Sequence, residues 1–197
     1  MPTKQKQMTA VTKQKIFKTV IQIADAVPYN DATLARVAKA AKVPVSQLQT
    51  QFVDFTHLLI AVQQFILDEL RDHVIDATAH LPPGLERVRT ATKVYLDHSL
   101  QRRGLRVWLL QARREQPQLA EGLRRQNHSF ALVISTEFHA LGWPYPLAAA
   151  RLYLASIQEA ARLEQPKGEA LAYVREAIWD IARFYTHQVK AGVAKKS

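Results

Sequence analysis

Apolar residues recur three and four positions apart along almost the whole chain, while the strict alternation of a half-buried strand is hard to find. Proline and glycine divide this pattern into nine expected helices and an all-α fold. The spacing predicts a first helix over 12–27, with Ile16, Val20, Ile23, Ala24 and Val27 on one face and Pro28 as its stop. A short helix over 33–41 buries Leu34, Val37, Ala38 and Ala41, and Pro44 opens a third over 45–52 with Leu48 and Phe52 inward. A long helix over 54–80 carries Leu58, Val62, Phe65, Ile66, Val74 and Ala77, and ends at Pro82-Pro83. Five more are expected over 85–102, 105–115, 117–141, 146–164 and 169–190, with basic tails at 1–9 and 191–197.

The last two helices are apolar on more than one side. Helix eight offers Leu147, Ala150, Leu154, Ile157 and Ala161, and beside them Ala148, Leu152, Ala155 and Leu163. Helix nine pairs Leu171, Val174, Ile178, Ile181 and Tyr185 with Tyr173, Ala177 and Phe184. A helix with two apolar faces packs on two sides, which suggests a four-helix bundle shared by two copies of the chain. Leu154, Ile157, Ile178 and Ile181 are the expected interface residues.

Length and composition fit this picture. The chain has 197 residues, of which 48% are hydrophobic and 22% charged, enough for a sizeable core. No apolar run approaches the roughly 20 residues of a membrane span, and no signal-peptide pattern opens the chain, so no membrane is expected as a partner. The absence of cysteine excludes disulfides, thiol catalysis and Cys-based zinc sites, and fits a cytoplasmic location.

Charge changes the picture more. The net charge is +10, and it is lopsided. Residues 1–53 hold eight basic side chains, among them Lys4, Lys6, Lys13, Lys15 and Lys18, against Asp25 and Asp31 alone. The remaining residues carry 19 basic and 15 acidic groups. A basic quarter on a nearly balanced remainder suggests a surface for a polyanion.

That quarter also contains two short helices joined by Lys42-Val43-Pro44, the proportions of a helix-turn-helix. Its second helix would present Val45, Ser46, Gln47, Gln49, Thr50 and Gln51 to a major groove, while Leu48 and Phe52 hold it from behind. Glutamine can pair bidentately with adenine, Ser and Thr can contact bases or phosphate, and a valine methyl suits a thymine methyl.

The run Thr33-Leu34-Ala35-Arg36-Val37-Ala38-Lys39-Ala40-Ala41-Lys42-Val43-Pro44, followed by Leu48, Phe52 and Leu58-Leu59-Ile60-Ala61-Val62, resembles the N-terminal domain of TetR-type transcriptional regulators. The resemblance covers about residues 12–62 and is architectural beyond them. It implies a DNA-binding domain over 1–53 and a helical effector-binding and dimerisation domain over 54–197. It also implies a homodimeric repressor that binds double-stranded operator DNA and is released by a small-molecule effector. Thr33 and Lys42 join the third helix as expected DNA contacts, with Lys39 a further phosphate contact. Three positions depart from the family pattern: Lys42 stands where a turn glycine is usual, Gln49 where a tyrosine is, and Phe55 where a lysine contacts phosphate.

Enzyme readings find little support. The glycine pattern holds no G-x-G-x-x-G or P-loop, and no G-x-S-x-G is present. None of the seven histidines stands at H-x-x-x-H spacing, so neither metal nor cofactor is expected. In the family that the chain resembles, the effector lies among helices four to seven, where Phe65, Tyr95, His98, Trp108, His128 and Phe138 are the candidate contacts. The alternative reading is a helical dimer that has lost specific DNA recognition and acts as a small-molecule or protein-binding module.

Overall fold

A computed structural model describes residues 9–194. Among them are nine α-helices and no strand: α1 (Ala10–Ala24), α2 (Leu34–Ala41), α3 (Val45–Gln51), α4 (Phe55–Thr78), α5 (Leu85–Gln101), α6 (Arg103–Glu115), α7 (Pro117–Ala140), α8 (Pro146–Lys167) and α9 (Ala172–Ala194). A 3-10 turn at Tyr29–Asp31 has no counterpart in the sequence reading. Among the described residues no helix is long and apolar enough to cross a membrane. The expected tail residues 1–8, with Lys4 and Lys6, and 195–197 lie outside the described residues, whereas Ala191–Ala194 continue α9.

The chain forms two compact units, Met1–Asp68 with Arg102–Gly122, and Glu69–Gln101 with Leu123–Ser197. The division falls inside α4 and α7, so the first unit takes in α6 and part of α4 beyond residue 53. In its core Ile16, Val20, Val37, Leu48, Leu58, Leu59, Val62 and Leu105 have no exposed surface. Phe17 sits between Phe52 and Phe65, with ring centroids 6.3 and 5.3 Å away. Helix α1 stops at Ala24, not at Val27, because α6 closes on it there. The Gly104 N–H donates to Asp25 Oδ1 at 3.1 Å, and a Cβ on Gly104 would come within 2.5 Å of the Ala24 carbonyl oxygen. Val27 is left in the turn, where its carbonyl accepts the Trp108 indole N–H at 2.8 Å.

The second unit is built around Phe138, which stacks on Trp143 at 3.9 Å and meets Tyr153 edge-on at 5.5 Å. Helix α8 runs three residues past its expected end, with Pro166 inside its last turn, and closes at Gly168 with φ 69°. Beneath that turn the buried Glu164 carboxylate accepts the Leu171 N–H at 3.0 Å and two Arg175 N–H groups at 2.7 and 2.9 Å. Arg175 also donates to Asp97 at 2.5 Å. This clamp holds 168–171 as a connection, so α9 starts at Ala172 instead of residue 169.

Candidate nucleic-acid interface and ligand cavity

Helix α2 opens on Thr33, whose Oγ1 accepts the Arg36 N–H at 3.2 Å. It ends with Lys42 in the left-handed region, φ 54° and ψ 48°. There the Lys42 N–H donates to the Lys39 carbonyl at 3.2 Å, and the Val43 N–H to the Ala38 carbonyl at 3.0 Å. Lysine bears a Cβ cost in this conformation of about 1 kcal/mol, which glycine would not. Pro44 then starts α3 with a fixed φ, and buried Leu48 and Phe52 anchor it.

This anchoring turns Val45, Ser46, Gln49, Thr50 and Gln51 outward, while Gln47 is half-buried. The Thr50 hydroxyl donates to the Ser46 carbonyl at 2.8 Å, so its oxygen is left as an acceptor. Thr33, Lys39 and Lys42 are exposed on α2 and the turn, as are Lys13, Lys15 and Lys18 on α1. Phe55 faces inward, 6.4 Å from the Tyr29 ring and edge-on to Trp108 at 5.8 Å. Beside it Asp54 Oδ1 accepts the His57 N–H at 2.8 Å and contacts His57 Nδ1 at 2.9 Å. These bonds from His57 hold the Asp54 carboxyl below its usual range. The start of α4 thus presents a carboxylate where the family pattern has a phosphate-binding lysine nearby. The Asp54–His57 cap escaped the sequence reading, although a cap residue before an apolar run was its available signal.

The second unit holds a partly open cavity of about 100 Å³ between α4, α5, α7 and α8. Val74, Ala91, Phe130, Ile134, Leu154 and Ile157 form apolar wall, and Tyr95, Tyr153, Thr92, Arg87 and Glu137 bring polar atoms. Of the six residues expected to meet an effector, Tyr95 lines this cavity. His98 is buried, with Nε2 3.4 Å from Glu69 and its ring edge-on to His73 at 5.9 Å. Phe138 is filled-in core, His128 is exposed on α7, and Phe65 and Trp108 belong to the first unit. Phe130 and Ile134 stand four residues apart on α7, and that spacing is the sequence signal for the cavity wall.

The expected interface residues also separate. Leu154 and Ile157 are buried within the unit and face the cavity, because the other apolar face of α8 is the outward one. Outside, Leu152 is 73% exposed, Ile181 63% and Phe184 66%. Leu152, Ile181, Tyr145 and Tyr185 border a groove of about 340 Å³, with the buried Ile178 in its wall. Among the described residues no three His, Asp or Glu side chains are grouped to hold a metal ion.

No family model matches the chain, and no curated protein does. Solved structures do. A transcriptional regulator from a Rhodococcus species superposes with a TM-score of 0.77 at 17% identity, over 93% of this chain and 97% of its own. A TetR transcription regulator from Haloarcula marismortui gives 0.76 at 15% identity, over 91% and 98%. The fatty acid degradation regulator FadR from Bacillus halodurans gives 0.75 at 13% identity, over 91% and 96%. With nine α-helices among the described residues, its helix-turn-helix and these neighbours, the chain has the fold of the TetR-family transcriptional regulators.

Proposed function

We propose that the protein is a homodimeric DNA-binding regulator of transcription, acting in the cytoplasm by binding rather than catalysis. It represses by occupying an operator and leaves it when a small molecule fills the second unit. The observation that carries this reading is the outward face of α3. Leu48 and Phe52 hold the helix from behind, so Val45, Ser46, Gln49 and Thr50 are free to meet base edges, with exposed lysines on α1, α2 and the turn for phosphates.

The α8–α9 pair supplies the dimer in this reading, through Leu152, Ile181, Phe184 and Tyr185 instead of Leu154 and Ile157. An exposed apolar face of this kind is covered at low cost by its own symmetry copy, giving a four-helix bundle. Effector binding then works by population shift, favouring a spacing of the two recognition helices that no longer matches successive major grooves.

The test is to sequence the DNA that the purified protein retains from random fragments. A recurrent site with twofold symmetry supports the regulator. Retention with no sequence enrichment sinks it, in favour of the second reading, a dimer that has lost specific recognition. Phe55 turned inward and the carboxylate at the start of α4 are the observations on that side.

A further inference from the structure

We infer that the cavity of the second unit takes an uncharged, largely apolar molecule about the size of one aromatic ring, bonded to the Tyr95 hydroxyl, and that it rejects carboxylates. This rests on the effector reading above and names the class of effector. Size comes first. The cavity measures about 100 Å³, less than the roughly 150 Å³ of an apolar cavity that holds benzene, and it is partly open, so a single ring is the most that it takes. Its apolar wall offers Phe130 and Ile134 to a ring.

Charge is decided by the two ionisable side chains in the wall that carry one at neutral pH. Arg87 Nη1 donates to Glu137 Oε1 at 3.2 Å, and its Nε donates to the Leu81 carbonyl at 3.0 Å, an acceptor that Nη2 shares. Glu137 Oε2 in turn accepts the Gly84 N–H at 2.8 Å. The pair is neutral as a whole, and both carboxylate oxygens of Glu137 are engaged. A ligand carboxylate on the N–H groups that Arg87 has left would set a second anion against Glu137, which is 9% exposed, with no other cation in the cavity wall. A ligand cation would set a second positive charge against Arg87 in the same way.

The hydroxyls narrow the choice further. Thr78 spends its proton on the Val74 carbonyl at 2.7 Å. Thr92 donates its single proton to the Val88 carbonyl at 2.8 Å, so in the 2.9 Å contact between the two hydroxyls it is Tyr153 that donates. Burial raises the Tyr153 pKa and keeps that proton in place. Tyr95 differs: among the described residues no hydrogen bond reaches its hydroxyl. A ligand acceptor is therefore met by the Tyr95 hydroxyl, whereas a ligand donor can also be received by the oxygens of Thr78 and Tyr153.

The experiment uses the full chain at neutral pH with three ring-sized probes, phenol, toluene and benzoate, followed by calorimetric titration and thermal melting. Phenol and toluene should bind and raise the melting temperature, while benzoate should do neither. Tyr95→Phe should weaken phenol about fivefold and leave toluene unchanged, which a merely structural role for Tyr95 would not do. Ala91→Leu and Ile134→Trp, which fill the space, should abolish both, and either one that folds suffices. Benzoate binding as well as phenol overturns the inference, as does the failure of all three probes at millimolar concentration. Release of the retained DNA is scored separately. Phenol that binds without releasing it leaves the inference standing and removes the effector reading. Benzoate that binds and releases it does the reverse.

Discussion

In the first unit nine large or medium apolar side chains are wholly buried and the aromatic rings fit against one another, whereas in the second unit the helices leave a cavity of about 100 Å³ and an open apolar groove. The same residue types are used in both. What differs is whether the apolar faces of neighbouring helices are matched in number. Helices α1–α3, with α6 and the start of α4, close completely around Leu48 and Leu58, which makes α3 a rigid presenter of its outer side chains. Helices with two apolar faces cannot all be satisfied within one chain, and the surplus either lines a cavity or stays exposed.

The largest effect that would break this contrast comes from a charge on each of the two α8–α9 faces. Ile157→Glu puts a carboxylate at a position 3% exposed, and should cost more than about 3 kcal/mol, seen as lost cooperative melting by circular dichroism. Ile181→Glu, at a position 63% exposed, should leave helicity intact and shift sedimentation towards the monomer. If the two variants behave alike, the distinction between inner and outer faces fails. Next, Leu48→Ala in the filled core should cost about 2–5 kcal/mol in urea unfolding. Ile134→Ala, which enlarges an existing cavity, should cost clearly less. On the DNA side, Gln49→Ala should lose about 1–3 kcal/mol on the recovered site and little on random DNA, read by fluorescence anisotropy.

Smaller effects sharpen the comparison. Lys42→Gly should stabilise the first unit by about 1 kcal/mol, because the left-handed turn no longer carries a Cβ. In the second unit, burial alone would raise the Asp97 pKa, but hydrogen bonds from Lys93 and Arg175 outweigh it and lower the value from 3.8. The folded state then binds fewer protons than the unfolded one around that pH, so the contribution is present above about pH 4 and lost as the pH falls below it. Asp97→Asn should therefore be less stable than the parent at neutral pH, and the gap should close on acidification, as urea melts at two pH values would record.

Helix existence was legible because proline and glycine punctuate this chain heavily, and the starts of α3, α7 and α8 fall where Pro44, Pro117 and Pro146 set them. Ends held by distant groups were not. Nothing local to Ala24 announces Gly104, and nothing local to residue 169 announces the Glu164–Arg175 clamp. The outward face of α3 could be read because only one of its faces is apolar. On α8 periodicity names two equivalent stripes, and only the packing around Phe138 and Tyr153 decides that Leu154 goes in and Leu152 out. Trp108 and Phe138 show the same limit from another side: an aromatic residue beside a polar one marks burial, and whether it borders space depends on partners remote in sequence.

The placement of Trp108 gives the molecule a built-in optical label. Its indole lies in the first unit, bonded to the Val27 carbonyl, while Trp143 and Trp179 are in the second. A chain with Trp143→Phe and Trp179→Phe would give tryptophan emission from the first unit alone, and one with Trp108→Phe from the second alone. Each half could then be watched separately during melting, titration with a small molecule or capture of DNA, with no dye attached to either.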